Sequence, residues 1–203
     1  MELIIKSNSL TDFLEETDII NYRHPAIQKL VAQIKKEKKT KSERAEAAFN
    51  FVRDEIRHSF DIDGKDITIT ASETLEKKEG ICFAKAHLLA ALLRAMEIPC
   101  GFCYQKVTRK GTIESGCALH GLNAVCLKDR WFRVDPRGNK PGISSEFCIN
   151  QEKLAYVIHP ELGEEDYPYV FHRPLAEVIQ AMKTSQDCGE LFYRRPESIS
   201  GVS

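Results

Sequence analysis

A thiol at Cys82, an imidazole at His120 and a carboxylate at Asp135 are the side chains of this sequence whose types and spacing could carry out covalent chemistry. Cys82 lies where Gly80-Ile81 runs into CFAKAHLLAALLRAMEI, a stretch with Ala84, Leu88, Ala91, Leu92 and Ala95 at helical spacing and Pro99 as its stop. A cysteine at a helix start sits beside unpaired N–H groups and the positive end of the dipole, which favour the thiolate that attacks carbonyls. The same N–H groups could hold the oxyanion of a tetrahedral intermediate, and Gly80 leaves room for substrate. His120 opens a predicted strand that alternates through Leu122, Ala124 and Cys126; its imidazole can take the thiol proton and deliver it to a leaving amine. Asp135 ends the next strand, between Val134 and Pro136. A hairpin of residues 120–127 with 130–135 would bring its carboxylate to the imidazole and fix the tautomer.

Other reactive residues have plainer readings. His87, one turn after Cys82, reads as a hydrogen-bonded or surface group in an Ala/Leu-rich helix. Cys100 and Cys103 form a C-x-x-C, but they fall in a predicted strand, on opposite faces, and no second pair follows; no metal site is expected. Cys117, Cys126, Cys148 and Cys188 read as packing or incidental thiols, Cys117 being the nearest rival because it precedes His120.

Holding the three residues takes a helix and a sheet, and the pattern offers both. Ile27, Leu30, Val31 and Ile34 mark a helix over residues 25–36 with Pro25 in its first turn. Ala45, Ala48, Phe49, Val52 and Ile56 mark a second, with Ser42 as N-cap and an end near His58. Residues 1–20 read as a strand or extended arm leading to a loop. Residues 61–70 read as a loop feeding a short strand through Ile67 and Ile69, after which Ser72 caps a turn. Beyond the Cys82 helix the period changes to two: residues 101–107, 121–127 and 131–134 read as antiparallel strands with turns at 109–111 and 128–130. Residues 143–203 read as irregular, with one helix near 175–182 and a loose end after Arg195.

The 203 residues suit one domain, residues 1–203, with a core at about 42–139 and a C-terminal extension from 143. With 29 basic and 30 acidic residues, a net charge of -1 and 42% hydrophobic residues, no nucleic-acid partner is expected. Lysines between 35 and 41 are interrupted by Glu37 and lack interleaved aromatics, the pattern of a solvated helix end. The N-terminal apolar run is too short for a signal-peptide core, and no stretch approaches the roughly twenty apolar residues of a membrane span. No membrane partner and a cytoplasmic location are therefore expected. Seven cysteines, an odd number without an export signal, are expected to be reduced.

Together, GICFAKAHLLAALLRAMEIPCGF, LHGLNAVCL and WFRVDPRGN resemble the three core motifs of the transglutaminase-like superfamily, in its order and spacing over residues 42–139. The resemblance implies an α+β, papain-like core, with a central helix bearing Cys82 packed on an antiparallel sheet bearing His120 and Asp135. It further implies thioester chemistry with no cofactor. Where family members often carry aromatics, this chain has Leu122 and Asn123 after the histidine and His58 after the preceding helix. Because several members use an upstream side chain as second oxyanion donor, His58, Asn21 and Tyr22 are candidates for that role. The expected activity is a cysteine-dependent amide hydrolase, either peptidase or amidase, or an acyltransferase to lysine amines, acting on a protein, a peptide or a small amide. The alternative is a noncatalytic binding domain that keeps the fold.

Overall fold

Pro25 fixes φ for a helical first turn, and the His24 ring accepts the Ala26 N–H, so a helix begins there. The computed structural model describes residues 1–200. In chain order it contains β1 (Ile4–Ile5), α1 (Pro25–Glu37), α2 (Lys41–Glu55), β2 (Arg57–His58), α3 (Ala71–Lys77), β3 (Glu79–Gly80), α4 (Cys82–Ala95), β4 (Cys100–Thr108), β5 (Cys117–Leu127), β6 (Arg130–Val134), β7 (Glu165–Asp166), β8 (Tyr169–Val170), α5 (Ala176–Thr184) and α6 (Cys188–Arg194). The architecture is α+β, with α4 at its centre.

Helix α4 packs on α1, α2 and α3 on one side and on β4 and β5 on the other. Its apolar residues cover more than the single face expected: every residue from Cys82 to Arg94 is buried, as suits a helix enclosed all round. The main sheet has the order β6-β5-β4-β7, antiparallel throughout. Lys128 and Asp129, with φ of 52° and 60°, make a two-residue turn between β5 and β6, the left-handed pair that matches strand twist. At the far end of α4, Arg94 donates to the carbonyls of Glu15, Cys100 and His172, tying the helix to three distant segments.

Several expectations are corrected. The cap of α2 is Thr40, whose hydroxyl accepts the Glu43 N–H while the Glu43 carboxylate accepts the Thr40 N–H. That helix ends at Glu55, and residues 57–58 instead pair in parallel with β3. Residues 67–69 form no strand. Thr70 and Glu73 make a second capping box that starts α3, and Ser72 lies inside that helix, hydrogen-bonded to Asn21. The connection after β4 is a loop over residues 109–116 with a single 3-10 turn. β5 starts at Cys117, so His120 lies inside the strand, opposite Gln105, and does not open it. A helix, α6, follows α5. The end after Arg195 is fastened as far as it is described, with the Leu119 N–H donating to the Pro196 carbonyl and the Ser200 N–H to Glu177. Residues 201–203 of that predicted loose end lie outside the described residues. Among the described residues no helix is long and apolar enough to cross a membrane.

Candidate active site

Cys82 is the first residue of α4, and its N-cap, Ile81, supplies no side-chain acceptor. The first intrahelical bond of this turn runs from the Lys85 N–H to the Ile81 carbonyl, so the N–H groups of residues 82–84 have no helical partner. Strand β5 lies against this turn because residue 121 is glycine: a Cβ there would stand 2.6 Å from the Phe83 ring. Gly121 and His120 thereby stand beside Cys82. Asn123 fastens the same contact further along, its amide donating to the carbonyls of Ala86 at 3.1 Å and Gly101 at 3.2 Å. Of the two residues that stand where relatives often have aromatics, Asn123 thus contributes a helix-to-sheet tie.

The structure brings Cys82, His120 and Asp135 together, all buried. His120 Nε2 lies 2.8 Å from Asp135 Oδ2, leaving Nδ1 for the thiol. Asp135 is itself held by the Arg137 N–H at 3.1 Å and the Ala155 N–H at 3.1 Å. Burial pushes the Cys82 thiol up, but the His120 hydrogen bond and charge, then Arg195 and the Gly121 N–H, bring it below the ordinary value. Burial alone would lower His120; the charge and hydrogen bond of Asp135, joined by Cys82, hold it well above. Burial would raise Asp135, and the His120 charge with three hydrogen bonds holds it low. The two shifts, thiol down and imidazole up, both favour moving the thiol proton to the imidazole beside a carboxylate.

The sulfur and the imidazole open on a cavity of about 680 Å³ whose walls include His58, Arg137, Tyr156 and Arg195. The Tyr156 ring stands edge-on to His120, 4.7 Å between centroids. Arg137 donates to the Tyr156 hydroxyl at 3.0 Å and grips Asp61 through two bonds of 2.6 and 2.8 Å, so one guanidinium positions both. Tyr156, Arg137 and Arg195 carry no sequence signal of a site role, because what places them is tertiary packing.

Of the three upstream oxyanion candidates, His58 lines the cavity, and burial together with Arg137 holds its ring neutral. Asn21 exchanges hydrogen bonds with Ser72, and Tyr22 packs on the core beside Arg23. His87 faces away from the cleft, bonding the Ile69 carbonyl at 2.8 Å, and burial lowers it to about 4. Cys100 and Cys103 belong to different apolar clusters, and burial pushes Cys100 up to about 12 and Cys103 higher still. Cys188 donates to the Asp66 carbonyl at 3.0 Å.

A family model described as the transglutaminase-like superfamily matches residues 28–136, more than half of the chain. The chain belongs to this superfamily. The match begins within α1 and ends one residue after Asp135, so it takes in the helix, both strands and all three residues just described. Among solved structures, a protein from Cytophaga hutchinsonii described as a candidate cysteine protease superposes with a TM-score of 0.52 at 20% identity. The superposition covers 64% of this chain and 43% of that one, so this chain spans less than half of that protein's length and the likeness is one of fold. No curated protein matches the chain.

Proposed function

We propose that this transglutaminase-like chain is a cysteine-dependent amide hydrolase in which Cys82 is the nucleophile, His120 the acid and base, and Asp135 the orienting group. The observation that carries the reading is the buried 2.8 Å contact of His120 with Asp135, in a site where the same imidazole and a thiol at a helix N-terminus line one cavity. The Cys82 thiolate attacks the amide carbon, and the unpaired N–H groups of the α4 first turn receive the oxyanion, with the neutral ring of His58 as a side-chain donor lining the same cavity. His120 gives its proton to the amine as the C–N bond breaks, leaving a thioester on Cys82. Acylation removes the thiolate charge that helped hold the imidazolium, so His120 can then take a proton from water, which attacks the thioester and releases the acid. The substrate is a peptide, a protein or a small amide. Transfer to a lysine amine uses the same intermediate with another acceptor.

Limiting iodoacetamide across pH, read by intact mass and peptide mapping, tests the nucleophile. Selective capture of Cys82 well below pH 8, lost in His120→Ala, is expected, and Cys82→Ala should abolish hydrolysis of any peptide amide the wild type cleaves. Slow, uniform labelling of the seven cysteines would favour a noncatalytic binding domain instead.

A further inference from the structure

The cations around the cavity are not equivalent. Arg137 and Lys140 both bond Asp61, and Arg109 reaches Glu197 at 3.3 Å. Arg195 differs. Its residue is 8% exposed, its guanidinium lies 5.1 Å from the Phe60 ring centroid and 4.9 Å from that of Phe192, and its Nε donates to the Phe192 carbonyl at 3.3 Å. No described residue accepts a hydrogen bond from either of its terminal nitrogens. Arg109 stands close by and repels it, so burial and a like charge both act against the cation. A guanidinium this deeply placed, open to the cavity and with no carboxylate beside it, carries a desolvation cost that an anion in the cavity would offset. The aromatic faces offset part of that cost. The Cys82 thiolate offsets another part, but it already has the His120 imidazolium as partner and vanishes on acylation.

The Arg195 fork lies in the wall of the cavity that also holds Cys82. A planar fork with two free N–H-bearing nitrogens fits a carboxylate in bidentate fashion. The two carboxylates of the cavity are engaged elsewhere, Asp61 by Arg137 and Lys140 and Glu164 by Thr108, so neither serves Arg195. Resting on the hydrolase reading above, we propose that Arg195 is a specificity-determining residue that selects amides bearing a carboxylate within a few bonds of the scissile carbonyl. The carboxylate could be a free chain terminus or an acidic side chain next to the cleaved bond.

Two alkylating reagents separate this assignment from the triad itself. In both, the thiolate attacks the methylene carbon, a C–S bond forms and iodide leaves; iodoacetate carries a carboxylate and iodoacetamide does not. The ratio of their rate constants at Cys82 cancels any change in thiolate population. Arg195→Gln should lower that ratio roughly tenfold, with Arg195→Lys in between. In the wild type, N-acetylglycine or the α-amide of N-acetylglutamate should protect Cys82 from iodoacetamide; the better protector shows whether a terminal or a side-chain carboxylate is preferred. This protection needs no variant and stands if Arg195→Gln fails to fold. Selective capture of Cys82 with an unchanged ratio, or with no protection by either acid, overturns the Arg195 assignment alone. Unselective capture overturns the triad, and this assignment with it.

Discussion

Replacing Asp135 by asparagine swaps one carboxylate oxygen for an NH2 at a place where three donors converge. Oδ1 accepts the Arg137 N–H, while Oδ2 accepts both the Ala155 N–H and His120 Nε2. With the amide oxygen toward Arg137, the new NH2 meets the Ala155 N–H; with the amide flipped, it meets the Arg137 N–H. Either way a buried backbone donor loses its acceptor, which costs about 1–3 kcal/mol. The larger effect falls on the tautomer. In the first orientation Nε2 faces the NH2 and must accept, so the ring proton moves to Nδ1, the nitrogen that should receive the Cys82 proton; in the flipped one Nε2 still donates, but to a neutral oxygen. The imidazolium loses its carboxylate and the thiolate loses its imidazolium. The Cys82 thiol should then titrate at or above its ordinary value rather than below it. Asp135→Asn should therefore lower kcat, by up to the order of 10⁴ that the same exchange costs a serine triad, and destabilise the fold by about 2 kcal/mol. The assays are the pH profile of iodoacetamide capture at Cys82 and denaturant unfolding. A variant whose capture profile overlays that of the wild type would refute the orienting role of Asp135, whatever its stability.

Two further perturbations probe the frame around the triad. Gly121→Ala places a Cβ 2.6 Å from the Phe83 ring, so β5 and the first turn of α4 must separate; a loss of about 1–3 kcal/mol and slower capture of Cys82 are expected, and an unaffected capture rate would contradict the close-approach reading. Lys85 is fully buried one turn after Cys82, its ammonium donating to the Arg53 and Ile56 carbonyls that end α2, while burial and the Arg137 charge pull its pKa from 10.5 down to about 7. Between about 7 and 10.5 the native state then binds fewer protons at this site than the unfolded chain, so Lys85 makes stability rise with pH across that window. In Lys85→Met that contribution disappears: the unfolding free energy of the wild type minus that of the variant should increase from pH 7 to pH 9, and a difference flat across this range would refute the assignment.

The three residues of the proposed triad are legible because each is marked by its immediate neighbours: Gly80-Ile81 before Cys82, alternation after His120, Val134 and Pro136 around Asp135. The errors have one recurring source. Thr40-Lys41-Ser42-Glu43, Thr70-Ala71-Ser72-Glu73 and Asp187-Cys188-Gly189-Glu190 all carry a capping residue three positions before a glutamate, and all three start helices. Choosing the serine nearest the apolar run misplaced the first cap and hid α3; ignoring the pattern in the tail hid α6.

What no local pattern could reveal is how the segment after Asn139 closes the site. Arg133, with its side chain buried, bonds Glu152 at 2.7 Å and Asp166 at 2.5 Å, fastening that segment across the sheet. So anchored, the segment places the Ala155 N–H on Asp135 and the Tyr156 ring against His120. Further along, Arg195 reaches the cavity because α6 ends beside Phe60, a residue 135 positions earlier in the chain. Each of these contacts joins residues whose spacing carries no periodic signal, so a scan for spacing reads them as ordinary surface. The division has a physical basis. The nucleophile needs a helix start and the base needs a strand, and both are local structures with local signatures. The shape and charge of the cavity above them depend on long-range packing.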